Sequence, residues 1–220
     1  MRCGAGWLSA SYPEPGFNDV PAFPPSALRL PHIERVLASQ GPGRHTRFFE
    51  RAAAVAMVLR FSRDAPDLLL MRRIERRGDP WSGHVSLPGG GSKRGEHAAV
   101  DIARRETQEE VGLDLGSCAR VLGVLPPLHP VPRGLARPLH ITPVVFEQTQ
   151  WEEPRAGEEA AHTFWLPLDQ VASGALDGTL DYRIAWSTRR FPCWRHDGET
   201  VWGLTHHVVS VFLNKLREAA

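Results

Sequence analysis

The stretch LPGGGSKRGEHAAVDIARRETQEEVGL, residues 87–113, restricts what this chain can fold into more than any other part of it. It opens on a glycine run, closes on Gly112-Leu113, and carries a helical pattern between them. At 100° per residue, Glu106, Glu109 and Glu110 fall within one sector of a helix expected from about His97 to Val111. Ala99, Ile102 and Leu113 fall within that same sector, so the acids interrupt the stripe that should face the protein. Like charges at this spacing cost a helix roughly 0.2–0.5 kcal/mol per pair, and burying them unpaired costs much more. Two readings are open. One is a solvated acidic face with incidental alanines; the other is a set of carboxylates with hard divalent cations between them. Mg²⁺ or Mn²⁺, shared between carboxylates and the phosphate oxygens of a substrate, suits this ligand set.

The residues ahead of the helix favour the second reading. Pro88-Gly89-Gly90-Gly91, followed by Gly95-Glu96, reads as a loop whose backbone can approach a pyrophosphate, and a helix N-terminus favours anions. Gly89 and Gly90 are therefore candidate substrate contacts. The loop is not a P-loop, because Lys93 follows Ser92 and the GK[ST] order is missing. Arg105 stands one turn before Glu109, where it can hold that carboxylate in place. Gly112 occupies the position where a helix end takes a left-handed residue.

With 220 residues, 42% hydrophobic and 23% charged, the chain suits one domain with an extension. A net charge of +1 supplies no global field, so neither a nucleic acid nor a membrane is expected as partner. The longest apolar run, 52–59, is too short to span a bilayer, and the N-terminus has no secretory pattern. Three scattered cysteines make neither a disulfide framework nor a CxxC zinc site, which points to a reducing compartment, the cytoplasm. The oligomeric state is left open, a homodimer among the options.

Residues 1–26, with five prolines, read as an extended or disordered arm, and residues 27–220 as the folded domain. A short helix is expected to start at Pro31 and stop before Gly41. Strands are expected over 52–61, 68–72, 118–125, 139–147, 162–168 and 181–186, with a long proline-rich loop over 126–138. A last helix starts with Thr205 as its N-cap, and Val208, Val209, Phe212 and Leu216 form its apolar stripe. Interleaved strands and helices place the chain in the α/β or α+β class.

Taken in order, Gly90, Glu96 after five residues, and Arg105-Glu106-Thr107-Gln108-Glu109-Glu110-Val111-Gly112-Leu113 resemble the signature box of the Nudix hydrolases. Eight residues separate Glu96 from Arg105 where that box has seven, and Thr107 takes an apolar slot. The extra residue leaves Glu96 without an assigned role. The resemblance implies a mixed sheet sandwiched between helices, with the box as loop-helix-loop. It also implies hydrolysis of a nucleoside diphosphate linked to another group, with Mg²⁺ or Mn²⁺. By the same carry-over Glu106 and Glu110 bind metal, Glu109 binds metal or helps deprotonate water, and Arg105 orients them. Such families often add an acid before a W-x-P-L strand; GEEAAHTFWLPL supplies Glu158 and Glu159 there, and Glu159 is the choice for a further metal ligand and catalytic acid.

The segment just upstream, LLLMRRIERRGDPWSGHVSLPGG, is similar to its counterpart in the coenzyme A pyrophosphatase branch, which reads roughly L-L-T-x-R-S, then R, G and F-P-G-G. Leu70, Arg73 and Leu87 stand in the places of its threonine, serine and phenylalanine, and the gap before Gly83 is longer by two residues. The eight-residue spacing and VWGLT before the last helix are shared with that branch. Arg72, Arg73, Arg76 and Arg77 read as one basic cluster for phosphate oxygens, such as a nucleotide 3′-phosphate, the alternative being a solvated loop. Trp81, Trp194 and Trp202 can stack a base or serve as core, and His206 and His207 read as structural. Two other functions remain open: hydrolysis of ADP-ribose, a nucleotide sugar or a dinucleotide, and nucleotide binding without catalysis. The intact Arg105, Glu106, Glu109 and Glu110 speak against the last.

Overall fold

Strand β1 (Ala52–Arg60) is buried along almost its whole length. A strand buried on both faces needs a layer on either side of its sheet. Its side chains alternate between two cores: Ala54, Ala56 and Val58 enter one, Met57 and Leu59 the other. The computed structural model describes residues 22–39, 52–77, 81–96, 98–128, 140–184 and 187–220.

On one edge β1 runs parallel to β6 (His140–Gln148), whose far side pairs antiparallel with β5 (Ala119–Val124). The other edge of β1 is split. Leu59 and Arg60 pair with β2 (Asp67–Arg73), whereas Ala53–Val55 pair with β4 (Gly89–Gly91). Strand β3 (Val85–Ser86) pairs with Met71 and Arg72 of β2, so residues 85–91 fill the wedge where β1 and β2 part. Strand β7 (Ala160–Pro167) lines the outer edge of β2.

Helix α2 (Ala99–Val111) covers one face with Ile102, Ala103 and Val111, joined by Leu113, Leu115 and Cys118. On the other face lie α1 (Leu30–Ala38), α3 (Leu168–Ala172) and α4 (Gly203–Glu218). The result is the expected α/β/α sandwich around a mixed sheet. A second antiparallel sheet, β8 (Asp177–Ile184), β9 (Ser187–His196) and β10 (Glu199–Trp202), adds Trp194 and Val201 to the α4 core. Its β9–β10 turn is Asp197-Gly198, both at positive φ (47° and 80°), as a two-residue type I′ hairpin requires.

Several expectations are corrected. The glycine run is not a loop but strand β4, because its backbone completes the ladder of β1. Thr205 is not the N-cap of α4: the helix begins at Gly203, and the buried Thr205 hydroxyl donates to the Val85 carbonyl at 3.0 Å. Of the strand expected over 181–186, residues 181–184 are the end of the longer β8 and 185–186 lie outside the described residues, while β9 and β10 have no counterpart among the expected strands. Pro31 does open α1, and Gly112 does end α2 in the left-handed region at φ 69°. Residues 1–21 of the arm, Gly41, His97, residues 129–138 of the proline-rich loop and residue 139, the first of the strand expected over 139–147, lie outside the described residues. Among the described residues, no helix is long and apolar enough to cross a membrane.

Candidate active site

Helical phase places the three acids of α2 at three depths. Ile102, Ala103, Thr107 and Val111 are buried, and Glu110 lies in the middle of their stripe with its side chain 5% exposed. Glu106 comes next at 15%, and Glu109, at the solvent edge, is 48% exposed. A simply solvated acidic face is thereby excluded. Thr107 fits its apolar slot because its hydroxyl is taken up by the Ala103 carbonyl at 2.7 Å.

The glycines of β4 make room for these acids. A Cβ on Gly90 would stand 2.4 Å from a Glu106 oxygen, and one on Gly89 would stand 2.4 Å from the Ala54 carbonyl oxygen. The Gly89 N–H donates to Glu110 Oε2 at 2.8 Å. The close neighbours of Gly89 and Gly90, the expected pyrophosphate contacts, are therefore carboxylates and the β1 backbone. Gly91 alone of the three faces open space.

Arg105 ties the acids together. Its Nε and Nη2 donate to Glu96 (2.6 and 3.1 Å), its Nη1 to Glu106 (2.7 Å) and Glu109 (3.0 Å), and its Nη2 also to the Gly91 carbonyl (2.9 Å). A planar guanidinium with five donors is suited to this arrangement. Glu96 thus buttresses Arg105, and Arg105 holds its carboxyl below the usual range. Lys93, read from sequence only as evidence against a P-loop, lies 2.8 and 3.0 Å from the two Glu109 oxygens and lowers that carboxyl. No sequence pattern singled it out. Burial pushes Glu110 up to about 7, with Glu106 and Glu159 adding to the rise while the Gly89 N–H and Arg73 oppose it.

Glu159 reaches the site because the chain before it caps α2. The Arg155 N–H donates to the Val111 carbonyl and the Gly157 N–H to the Glu110 carbonyl, both at 2.8 Å, satisfying groups a helix end leaves open. A Cβ on Gly157 would lie 2.4 Å from the Glu109 carbonyl oxygen. Arg73 bridges the acids, with Nη1 3.7 Å from Glu110 and Nη2 3.7 Å from Glu159. Arg76 meets Glu159 at 3.5 Å and the Glu158 carbonyl at 3.2 Å.

The basic cluster expected from sequence is split by the strand. Neighbours on β2 point to opposite faces. Arg73 faces α2, whereas Arg72 pairs with Glu199 of β10 at 2.9 Å, and Glu199 also meets His162 at 3.1 Å. Glu199 was missed; the Asp197-Gly198 turn just before it was the available sign of a hairpin there. Arg77 is exposed. Trp194 is buried and stacks on His206 at 4.1 Å, Trp202 packs against Tyr182 and His84, and Trp81 is 41% exposed.

The donor set suits a hard divalent cation. Glu106 and Glu110 supply oxygens from α2 and Glu159 from the residue just before β7, and the charges of Glu106 and Glu159 make Glu110 harder to ionise. As the side chains stand, no three acids or histidines among the described residues are gathered closely enough to hold an ion. Arg105, Lys93 and Arg73 engage them instead.

Residues 50–187 match the NUDIX domain family. A protein named Nudix hydrolase NudL from Pectobacterium atrosepticum is 31% identical over 192 residues, 85% of this chain and 94% of that one. The human mitochondrial coenzyme A diphosphatase NUDT8 is 30% identical over 166 residues, covering 75% of this chain and 69% of that protein. A MutT/nudix family protein from Enterococcus faecalis superposes with a TM-score of 0.47 at 17% identity, over 84% of this chain and 69% of the other.

Proposed function

The chain belongs to the Nudix family of pyrophosphohydrolases, and from that premise we propose that it cleaves the pyrophosphate of coenzyme A or its thioesters with Mg²⁺ or Mn²⁺. The observation that carries the chemistry is the set of acids at graded depth on α2, with Glu106 and Glu109 held by Arg105 and Glu110 by the Gly89 N–H. Glu106 and Glu110 would hold the cation, with Glu159 completing the acid set. A divalent cation bound there offsets charge building up on the pyrophosphate and lowers the pKa of a water.

The protein's own groups do the rest. Arg105 fixes the Glu106 and Glu109 carboxylates relative to each other, so no reorganisation is needed as charge develops. Glu109, at the solvent edge, is the acid a water reaches, and we assign it to accept that water's proton. Lys93 shares this carboxylate and keeps it ionised until then. Gly91, with open space where a side chain would stand, lets the substrate approach the backbone.

Similarity to coenzyme A diphosphatases supports the choice of substrate, as do Arg76 and Arg77 in the segment between β2 and β3. A substrate panel with Mg²⁺ and with Mn²⁺, products resolved by mass, tests it. Release of 3′,5′-ADP and a 4′-phosphopantetheine is the expected result. AMP from ADP-ribose, with coenzyme A left intact, would assign the chain to the ADP-ribose reading instead.

A further inference from the structure

The position of Arg73 is unusual for a residue expected to bind substrate. Pairing between β2 and β7 runs regularly to Arg72↔His162, then slips so that Arg73 faces Ala160. Bulges of this kind re-aim a side chain and are common beside active sites. Here the extra residue, Ala161, lies on β7, opposite the Arg73 whose guanidinium enters the acid set and two residues from Glu159. Arg73 is only 22% exposed, and its two terminal nitrogens face different carboxylates, Glu110 from α2 and Glu159 from the segment that caps it.

The individual oxygens sharpen the point. Glu110 Oε2 is engaged by the Gly89 N–H, which leaves Oε1 as the atom free to face an ion, and Oε1 is the one Arg73 faces. On Glu159, Arg76 stands by Oε1 and Arg73 by Oε2. The guanidinium therefore covers the oxygens by which these two acids could share a cation.

We propose that Arg73 is a built-in competitor for the divalent cation, bridging Glu110 and Glu159 so that an ion gains both carboxylates only by displacing it. The inference rests on the metal-dependent reading of the site. It makes metal uptake weak until an anionic substrate arrives, because the substrate's phosphates give the displaced guanidinium a new partner. Arg73 thus acts as a positioning residue that sets when the ion enters.

The test is Mn²⁺ binding by the full chain without substrate, read as the loss of the free-ion electron paramagnetic resonance signal. Removing a positive charge from between two partly buried carboxylates should tighten binding about tenfold in Arg73→Ala. Arg73→Gln, neutral and of similar length, should shift the same way and carries the test if the alanine variant does not fold. Coenzyme A at saturation should narrow the gap between wild type and variant. Wild-type uptake of Mn²⁺ with unchanged affinity in both variants overturns this inference alone. No uptake by any folded form overturns it together with the metal-dependent reading.

Discussion

Gly90 and Glu106 share one space: a Cβ on the glycine would stand 2.4 Å from Oε1 of the glutamate and 2.5 Å from its Cδ. That same Oε1 accepts from Arg105 at 2.7 Å, so moving the carboxylate out of the way strains or breaks that bond. Gly90→Ala should therefore fold, since the residue lies on a strand, yet lose roughly a hundredfold or more in turnover as Glu106 is driven off its position. Steady-state kinetics alongside circular dichroism would decide. Turnover within a few-fold of wild type would mean the position of Glu106 does not matter.

Glu110→Gln separates charge from shape. The amide oxygen can still accept the Gly89 N–H, and a neutral group is cheaper to bury where burial already pushes the acid up to about 7. Thermal unfolding without metal should give an equal or higher Tm. Turnover should drop on the order of a hundredfold or more, because the lost charge is needed as the phosphate charge develops. Near-normal activity would remove Glu110 from the mechanism.

The site was legible in sequence where its logic is local. Arg105, Glu106 and Glu109 lie within one turn of each other, and helical phase alone orders their depths. Relations between elements were not legible. Arg72 and Arg73 look like one cluster in sequence, but alternation along β2 sends them to opposite faces. The glycine run has little intrinsic strand preference, and it becomes a strand because β1 offers an unpaired edge. Thr205 resembles a cap because its hydroxyl does seek a partner, which proves to be the distant Val85 carbonyl. Strand β9, rich in exposed arginines and carrying Pro192, has too weak an alternation to announce itself.

His206 should make the fold acid-sensitive. Burial, with a smaller contribution from His207, pushes its pKa down to about 4 from an ordinary value of 6.5. Between these values the unfolded chain binds a proton that the folded chain does not. Stability is thus complete above pH 6.5 and declines as pH falls towards 4, by up to about 3 kcal/mol. Urea unfolding at pH 7.5 and pH 5 should show the loss. His206→Phe, which keeps a ring against Trp194, should flatten it. An unchanged slope in that variant would place the acid sensitivity elsewhere.

The arginines before the box can be told apart by substrate. Arg72 is held by Glu199 on the face away from the acids, so Arg72→Ala should affect coenzyme A and dephospho-coenzyme A alike. Arg76 also steadies Glu159, so its loss should slow both substrates as well as any phosphate recognition. Arg77, exposed at the end of this segment, gives the cleanest comparison. A hydrogen bond to a charged group contributes roughly 1.5–3 kcal/mol, about ten- to a hundredfold. If Arg77 meets the 3′-phosphate, Arg77→Ala should lower kcat/KM for coenzyme A by that factor while dephospho-coenzyme A is cleaved almost as before. The ratio cancels effects on folding and metal binding, because both substrates present the same pyrophosphate to the same enzyme. Equal losses on both would put Arg77 on the pyrophosphate or on the scaffold. A wild-type enzyme that does not distinguish the two substrates would remove the 3′-phosphate pocket, leaving similarity to the coenzyme A diphosphatases as the support for that substrate.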